Sequence, residues 1–365
     1  MSVRWEKRAE SDRARLGRLQ TPHGPVDTPA FMPVGTRASV KALDSADLET
    51  LGAEMMLANT YHLMLRPGAE LIDGLGGLHG FARWPHPMLT DSGGYQVFSL
   101  APKVTEDGVA FKSTYDGDRV FLTPEGSVAV QQLLGADIAM QLDVLVGLPA
   151  PRAEVEAAME RTLRWGERSL DAHTRADQAL FGIVQGGVDP EMRAASAAAT
   201  ADLGFPGFGI GGLSVGEGSE DRNMAIDATV AELPDGKVRY VMGLGDTEGV
   251  LDAIARGCDL FDCVWPTRLA RHGKVFTAAG DYSIKRAEFA EDDRPLEEGC
   301  DCLACSRYSR AYLRHLKRTG ELSAQRLLSI HNLRYTMRLM SGIRDAIEHD
   351  RFEEFRAERA DRRSA

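Results

Sequence analysis

The regular alternation of short apolar runs with longer stretches of helical periodicity is the feature that most constrains the fold of this chain. Between Thr28 and Val264, strand-length apolar segments are repeatedly followed by amphipathic segments, and glycines or polar residues recur just past the strand ends. This rhythm is typical of a parallel sheet with helical crossovers. About eight such units in about 270 residues favour a closed (β/α)8 barrel of the TIM type, an α/β fold, over an open doubly wound sheet.

Local signals place individual elements within this series. Thr123 suits a helix N-cap, Pro124 fits the first turn, and Gly135 is placed to end the same helix. The segment just before it predicts a hairpin with strands at 109–114 and 119–122. A glycine cluster at residues 74–80 is predicted to be a flexible loop. Because no glycine-rich nucleotide-binding loop and no Walker motif is identified in the sequence, no nucleotide cofactor is expected.

Length and charge set broad limits on the class of protein. The chain has 365 residues and a net charge of −11, which argues at first sight against a nucleic-acid partner. Residues 301–365, however, carry 14 Lys and Arg against 9 Asp and Glu, a balance of +5 that is compatible with local nucleic-acid contact. A helical tail rich in alternating charges is also commonly just a solvated face. The N-terminus lacks an apolar core segment, and no window has the length of a membrane span. A cytoplasmic location is therefore expected.

Three of the five cysteines are clustered in a way that predicts a metal site. Cys300, Cys302 and Cys305 form a C-x-C-x2-C arrangement, and His331 follows on a predicted helix. Three thiolates and one imidazole make a closed tetrahedral zinc site with no open position for water, so the predicted role of the zinc is structural. We expect residues 1–285 to form the barrel body, 286–350 a zinc-binding subdomain with closing helices, and 351–365 a charged C-terminal tail.

The stretch from Gly257 to Gly273 is the strongest candidate for a catalytic segment. A short apolar run leads to Asp262, and a predicted basic loop then carries Arg268 and Arg271. A carboxylate at the carboxyl end of a strand, next to arginines that bind phosphate, suits chemistry on an anionic substrate. Taken alone, an aspartate in such a segment more often caps a helix, and the arginines would then be solvated surface.

Other polar residues favour the catalytic interpretation because they also follow predicted strands. In a barrel they would converge on one mouth. Two carboxylates suit cleavage of a glycosidic bond, and amide and carboxylate groups suit the edge of a flat heterocycle that an aromatic ring and a methionine could sandwich. The residues of this set are Asp91, Ser92, Tyr95, Asp143, Gln185, Gly211, Gly212, Met242 and Asp262.

Several longer runs resemble bacterial tRNA-guanine transglycosylases, a family also called queuine tRNA-ribosyltransferases. The resemblance covers roughly residues 15–351, and many motifs occur in the family's order. The runs are Thr-Pro-Ala-Phe-Met-Pro-Val-Gly-Thr (28–36), Asn-Thr-Tyr-His-Leu (59–63), Thr-Asp-Ser-Gly-Gly-Tyr-Gln (90–96), Val-Gln-Gly-Gly (184–187), Gly-Gly-Leu-Ser-Val-Gly-Glu (211–217), Met-Gly-Leu-Gly (242–245), Phe-Asp-Cys-Val (261–264) and Pro-Thr-Arg (266–268).

The resemblance implies a barrel enzyme that exchanges guanine at the anticodon wobble position of tRNA for a 7-deazaguanine. Asp262 would attack the anomeric carbon of the ribose, and Asp91 would act as general acid and base. The resemblance also implies a homodimer, GUN-anticodon tRNAs as substrates and a place in queuosine biosynthesis. The other implied roles are base reading by Ser92, Asp143, Gln185 and Gly212, contact with the 7-substituent by Leu213 and Glu217, stacking by Tyr95 and Met242, RNA contact by Arg268 and Arg271, and zinc binding by Cys300, Cys302, Cys305 and His331.

One departure from the bacterial pattern concerns the incoming base. Bacterial members follow the base-reading aspartate with an acidic residue and a cysteine, whereas Asp143 is followed by Val144 and Leu145. The eukaryotic catalytic subunit, which takes queuine, has an aliphatic residue at the position of Leu145. Val215 fits the bacterial pattern. We therefore expect 7-aminomethyl-7-deazaguanine as the incoming base, with queuine as the alternative.

Two other functional classes are weighed against this interpretation. A glycoside hydrolase should offer several aromatic sugar platforms, and the chain has only four tryptophans. A non-catalytic tRNA-binding subunit should have lost the nucleophile or the base-reading residues. Because Asp91, Asp143, Gln185 and Asp262 are all present, the sequence favours the catalytic subunit.

Overall fold

The structure is a computed structural model that describes residues 3–213 and 216–364, so Val215 lies outside the described residues. Its strands fall into one large parallel sheet and three small antiparallel ones. In chain order the strands are β1 (Arg4–Ser11), β2 (Ala14–Thr21), β3 (Gly24–Thr28), β4 (Ala30–Pro33), β5 (Met56–Ala58), β6 (Met88–Thr90), β7 (Lys103–Val104), β8 (Val109–Lys112), β9 (Arg119–Leu122), β10 (Ile138–Met140), β11 (Ala179–Val184), β12 (Gly207–Ile210), β13 (Val238–Val241), β14 (Leu260–Cys263), β15 (Lys274–Val275) and β16 (Tyr282–Ser283).

Helices connect the strands of the large sheet and continue beyond it. Within the described residues, the α-helices are α1 (Ser45–Leu51), α2 (Thr60–Leu65), α3 (Ala69–Gly74), α4 (Gly77–Ala82), α5 (Gly94–Phe98), α6 (Pro124–Leu134), α7 (Arg152–Ala172), α8 (Pro190–Asp202), α9 (Ser219–Glu232), α10 (Thr247–Ile254), α11 (Trp265–His272), α12 (Leu303–Arg307), α13 (Arg310–Thr319), α14 (Leu322–Glu348) and α15 (Phe352–Ser364).

Eight parallel strands close into a barrel. Their order around the barrel is β4, β14, β13, β12, β11, β10, β6 and β5. The last gap is bridged where Val34 pairs in parallel with Leu57 and the Gly35 N–H donates to the Leu57 carbonyl at 2.7 Å. The predicted (β/α)8 barrel is therefore confirmed, and the carboxyl ends of its strands meet at one mouth.

The local signals at the start of α6 act as the sequence predicted. The Thr123 hydroxyl accepts from the Gly126 N–H at 3.0 Å, and Gly135 ends the helix with a φ of 70°. A left-handed C-cap of this kind costs a glycine little because glycine has no Cβ. The predicted hairpin is also present, as β8 and β9.

Two local predictions are wrong. Residues 74–80 are not a loop, because α3 and α4 meet there around Gly76, whose φ is 90°, and Leu78 is fully buried. The predicted basic loop after Asp262 is the helix α11. Pro266 is compatible with a first helical turn, and Gly273 ends the helix with a φ of 93°.

The sheet β1–β3 covers the amino-terminal end of the barrel and was not predicted from the sequence. Trp5, Leu19 and Val26 belong to one buried apolar cluster with the barrel residues Met32 and Met140. Polar contacts add to this packing, since Arg15 on β2 forms a buried ion pair with Asp259, just before β14. The sheet therefore plugs the end of the barrel that lies away from the mouth.

A second polar cluster holds the same end together. Both oxygens of the buried Asp137 are engaged, with His23 Nδ1 at 2.9 Å, His79 Nε2 at 3.1 Å and the Met88 N–H at 2.8 Å. The two imidazole rings stack with centroids 3.5 Å apart. Burial opposes ionisation of Asp137, but the hydrogen bonds from His79, Met88 and His23 outweigh it and lower its pKa to about 2.

The long helix α14 joins the C-terminal region to the barrel. It packs against α11, and its residue Asn332 is fully buried. Asn332 donates to the Pro266 carbonyl at 3.0 Å and the Lys274 carbonyl at 3.1 Å, and accepts from the Phe276 N–H at 3.0 Å. The side chain therefore fixes both ends of α11. Among the described helices, none has the length and apolar character needed to cross a membrane.

Candidate active site at the mouth of the barrel

A cavity of about 580 Å³ opens at the carboxyl ends of the barrel strands. Most of the residues that the sequence predicted for the site line it. These lining residues are Asp91, Ser92, Tyr95, Asp143, Gly211, Gly212, Leu213, Glu217, Met242, Asp262 and Arg268. The convergence expected of polar residues at strand ends is therefore observed.

Asp262 stands on β14 and is held through one carboxylate oxygen. The Tyr240 hydroxyl donates to Oδ1 at 2.6 Å, and the Gly243 N–H donates to the same atom at 2.7 Å. Within the described residues, Oδ2 has no hydrogen-bond partner. Burial raises the pKa of Asp262 to about 6, the two donors oppose the shift, and the charge of Asp91 adds to it. At neutral pH the carboxylate is thus mostly ionised, with one oxygen available to react.

Asp91 follows β6 and is held through both oxygens. Oδ1 accepts from the backbone N–H groups of Thr60 at 2.8 Å and Gly93 at 3.2 Å. Oδ2 accepts from the side-chain amides of Asn59 at 2.5 Å and Gln96 at 3.0 Å. Burial raises the pKa of Asp91, while these four donors favour its ionised form.

The two carboxylates therefore differ in what they can do. Asp262 presents an oxygen without a hydrogen-bond partner in the described structure, as a nucleophile requires. Asp91 has no such oxygen. Its Oδ2, however, is held by two side-chain amides that can rotate, so a proton can be accommodated there more easily than at Oδ1, where backbone N–H groups are fixed. This geometry suits Asp91 to proton transfer.

Asp143 and Gln185 form the polar edge of the site. Gln185 Nε2 donates to Asp143 Oδ2 at 2.7 Å, and the Ser92 hydroxyl donates to Asp143 Oδ1 at 3.3 Å. Gln185 is buried and is not itself among the lining residues. Burial raises the pKa of Asp143 to about 6, against the hydrogen bonds from Gln185 and Ser92. Gly212 must be glycine here, since a Cβ would lie 2.3 Å from Gln185 Oε1 and φ is 70°.

The predicted RNA contacts, Arg268 and Arg271, are placed differently. Arg268 is exposed and lines the cavity, whereas Arg271 is half-buried in the last turn of α11 and lies outside the lining. Two aromatic side chains project from the same mouth: Tyr95 is 63% exposed and Trp265 is 47% exposed. The cavity rim thus combines a cation with exposed aromatic surface.

Several residues that complete the site were not singled out from the sequence. Asn59 follows β5 as Asp91 follows β6, so its position at a strand end was a usable signal. Tyr240 gave no such signal, because a tyrosine inside a strand usually fills a core. The lining residues in this group are Asn59, His62, Gln96, Tyr240, Gly243 and Trp265.

The predicted metal ligands form one cluster, in which His331 on α14 faces the three cysteines of the segment 300–305. His331 Nδ1 lies 3.7 Å from the Cys300 sulfur, 3.6 Å from that of Cys302 and 3.3 Å from that of Cys305. A tetrahedral zinc ion separates sulfur and nitrogen ligands by about 3.6 Å, so the spacing fits. The His331 Nε2–H group donates to the Phe276 carbonyl at 2.8 Å, which leaves Nδ1 without a proton and able to bind a metal.

The fold and the cavity together define a barrel enzyme. In (β/α)8 enzymes the reacting groups stand at the carboxyl ends of the strands, and both Asp91 and Asp262 are placed there. The amino-terminal end, by contrast, carries the packed sheet β1–β3 and its ion pairs.

Comparison with known proteins identifies the family. The family model described as queuine tRNA-ribosyltransferase matches residues 10–365. A queuine tRNA-ribosyltransferase of Thermus thermophilus is 52% identical over 362 residues, which cover 99% of this chain and 94% of the relative. The Desulforamulus reducens protein of the same name is 50% identical over 358 residues, covering 98% and 97%. The Listeria welshimeri protein is 49% identical over 362 residues, covering 98% and 96%. The chain belongs to the queuine tRNA-ribosyltransferase family and is a pentosyltransferase.

Proposed function

We propose that this chain replaces guanine at the wobble position of GUN-anticodon tRNAs with 7-aminomethyl-7-deazaguanine, in queuosine biosynthesis. The substrates would be the tRNAs for Asp, Asn, His and Tyr. The observation that carries the proposal is that Asp262, Asp91 and Asp143 line the same cavity, with Gln185 hydrogen-bonded to Asp143. Family membership supports it, since the relatives are named for ribosyl transfer on tRNA.

In the first step, Asp262 Oδ2 attacks C1′ of the wobble ribose. A C1′–O bond forms, the C1′–N9 bond breaks, and its electron pair leaves with the guanine. Hydrogen bonds from Tyr240 and Gly243 fix the position of Oδ1, and this orients the carboxylate so that Oδ2 can react. The product is a covalent ester between the RNA and Asp262, and the departing base takes a proton.

Asp91 supplies and later removes that proton. We place the proton on Oδ2, where the amides of Asn59 and Gln96 can turn to present oxygen instead of N–H. In the second half-reaction the incoming base is deprotonated by Asp91 and attacks C1′, and the ester bond to Asp262 breaks. Because one base leaves before the next one reacts, the kinetics are ping-pong.

The base is read at its polar edge. The Asp143 carboxylate can accept from two N–H groups of a guanine-like base, while the Gln185 amide or the backbone of Gly212 would donate to the carbonyl oxygen of the base. Tyr95 and Met242 line the cavity where they can cover the ring faces, and Leu213 and Glu217 line the part that we assign to the 7-substituent.

Of the two residues that depart from the bacterial sequence pattern, Val144 and Leu145, only one lines the cavity. Val144 is buried, and its N–H donates to Thr162 Oγ1 at 3.0 Å. Its side chain is not among those that line the cavity. Leu145 does line the cavity. We therefore propose that Leu145, and not Val144, influences the choice between 7-aminomethyl-7-deazaguanine and queuine.

The function is tested by incorporation of labelled guanine into unmodified GUN-anticodon tRNA. We expect exchange at the wobble base, competition by unlabelled 7-aminomethyl-7-deazaguanine stronger than by queuine, and no exchange in a tRNA whose wobble base is adenine. A Leu145→Cys variant should change the ratio of the two competitors, because only this side chain changes in the cavity. Absence of exchange despite tRNA binding would contradict catalysis and favour the non-catalytic subunit.

A Tyr240→Phe variant should report on the nucleophile through its pH dependence. Removing the hydroxyl that donates to Asp262 Oδ1 raises the carboxyl pKa further above its present value of about 6. Because only the ionised form attacks, we expect the acidic limb of the kcat/KM profile to move from near pH 6 toward about pH 7, with roughly a threefold loss at pH 6.5 and recovery at higher pH.

The matched control for this variant is Tyr61→Phe. Tyr61 is also buried, and its hydroxyl lies 3.0 Å from Thr114 Oγ1 rather than near a carboxylate. Its pH profile should match that of the unmodified protein. An unchanged acidic limb in Tyr240→Phe would rule out Asp262 as the group that this limb reports.

Zinc is the ion we propose for the Cys300, Cys302, Cys305 and His331 cluster, one per subunit. The donor set of three sulfurs and one nitrogen, with ligand spacings near those of a tetrahedron, suits zinc and leaves no position for a substrate. We also propose that the chain acts as a homodimer, as the resemblance to its family implies.

A further inference from the structure

Three neighbouring barrel strands are followed, at the mouth, by arginines that form no ion pair with the protein's own carboxylates. Arg268 follows β14, Arg37 follows β4 and Arg66 lies just past α2, which follows β5; these strands are neighbours in the barrel. All three side chains are exposed. Within the described residues, none of them forms an ion pair or a side-chain hydrogen bond.

The surroundings make this absence informative. The chain has a net charge of −11, and many of its other arginines pair with acids, for example Arg18 with Asp27 and Arg168 with Glu125. Asp116 is close enough to Arg66 for the two charges to interact, but it forms no ion pair with it. Unpaired cations that are grouped at the mouth of the cavity, on an otherwise acidic protein, suit the binding of an anionic partner.

Two of these arginines are ordered by an aromatic ring. The guanidinium carbon of Arg66 lies 4.9 Å from the ring centre of Tyr115, and that of Arg37 lies 5.4 Å from it. The Tyr115 hydroxyl lies 3.0 Å from Nδ1 of His62, which lines the cavity. We call Arg37, Arg66 and Tyr115 the arginine–tyrosine cluster.

Such a contact positions a guanidinium group without occupying its donors. Stacking uses the face of the group, so the N–H edge stays available for the paired hydrogen bonds that a phosphate accepts. Because His62 links Tyr115 to the cavity wall, the cluster lies one side chain away from the place where the exchanged base enters. Arg268 lies on the other side of β4.

We propose that the arginine–tyrosine cluster binds a backbone phosphate of the RNA next to the exchanged nucleotide. The inference rests on the proposed function and adds to the predicted contact at Arg268. The RNA strand would pass over α11, drop one base into the cavity and continue over the cluster. The free base would make no contact with it.

The test measures binding of an anticodon stem-loop RNA by fluorescence anisotropy between 50 and 200 mM salt, a range in which phosphate contacts dominate the salt dependence. For Arg37→Ala/Arg66→Ala we expect Kd to rise roughly tenfold and the slope of log Kd against log salt to become shallower by about 1. In exchange assays, KM for tRNA should rise while KM for guanine stays unchanged.

Arg83→Ala is the matched control. Arg83 is also exposed and its side chain has no partner in the described structure, but it lies before β6, at the amino-terminal end of the barrel. Its Kd and salt slope should equal those of the unmodified protein. A charge-preserving Arg37→Lys/Arg66→Lys variant should keep most of the salt slope but lose affinity, because lysine has no planar fork.

The outcomes separate the two proposals. If the double alanine variant binds RNA like Arg83→Ala, or if KM for guanine rises together with KM for tRNA, the cluster is not a phosphate site. If the unmodified protein binds RNA but shows no base exchange, while the double variant still loses affinity, the proposed function fails and the cluster stands.

Discussion

The Asp262→Asn variant is expected to lose base exchange by a factor on the order of 10⁴ or more, because an amide oxygen is a poor nucleophile for C1′. The covalent RNA adduct should disappear from denaturing gels at the same time. The hydrogen bonds from Tyr240 and Gly243 can still reach the remaining oxygen, so the geometry of the cavity is retained.

Stability distinguishes this loss from unfolding. Burial raises the pKa of Asp262, which means that its charge is disfavoured in the folded protein at neutral pH. Removal of the charge should leave the thermal midpoint unchanged or slightly higher. Asp12→Asn, an exposed change at a turn with a φ of 52° that asparagine tolerates, should retain full exchange. An adduct that persisted in Asp262→Asn would assign the nucleophile to another residue.

Loss of the metal is the second large effect. In Cys302→Ala we expect zinc content to fall from one per chain toward zero, and the free energy of unfolding to fall by about 3–5 kcal/mol. The cause is that Cys300, Cys305 and His331 would be left as buried polar groups without the ion that links them. Elemental analysis and chemical denaturation measure the two effects.

Cys258→Ala is the control for this experiment. Cys258 is fully buried and is not part of the cluster formed by the four potential ligands. This variant should keep one zinc per chain and lose only the packing of one sulfur. Retention of a full equivalent of zinc in Cys302→Ala would contradict the ligand set.

The barrel could be predicted from the sequence because its signals are local and repeated. Thr123, Pro124 and Gly135 act through bonds within one helix, and the spacing of apolar runs depends on the strands themselves. The sheet β1–β3 carried no comparable signal. The strand β1, Arg4–Ser11, has few apolar residues, and its burial depends on pairing with β2 and on a barrel end that only the folded chain provides.

The site was predictable where its residues follow strands and not where they lie inside them. Asp91, Asp143 and Asp262 were found in this way, and the resemblance gave them roles. The contact of Tyr240 with Asp262 depends on the register of β13 with β14, which a sequence does not display. The helix after Asp262 was mistaken for a loop because Trp-Pro-Thr has turn-forming composition, whereas packing against α14 favours a helix.

The adjacent residues His331 and Asn332 connect the cluster of potential metal ligands to the helix α11 at the mouth of the barrel. His331 faces the three cysteines, while Asn332 holds backbone groups of Pro266 and Lys274 at the two ends of α11, the helix that carries Arg268. Asp143, which we propose reads the base, follows the barrel strand β10 and is not part of the cluster. We therefore expect that removal of zinc lowers the affinity for RNA before it lowers the affinity for the free base.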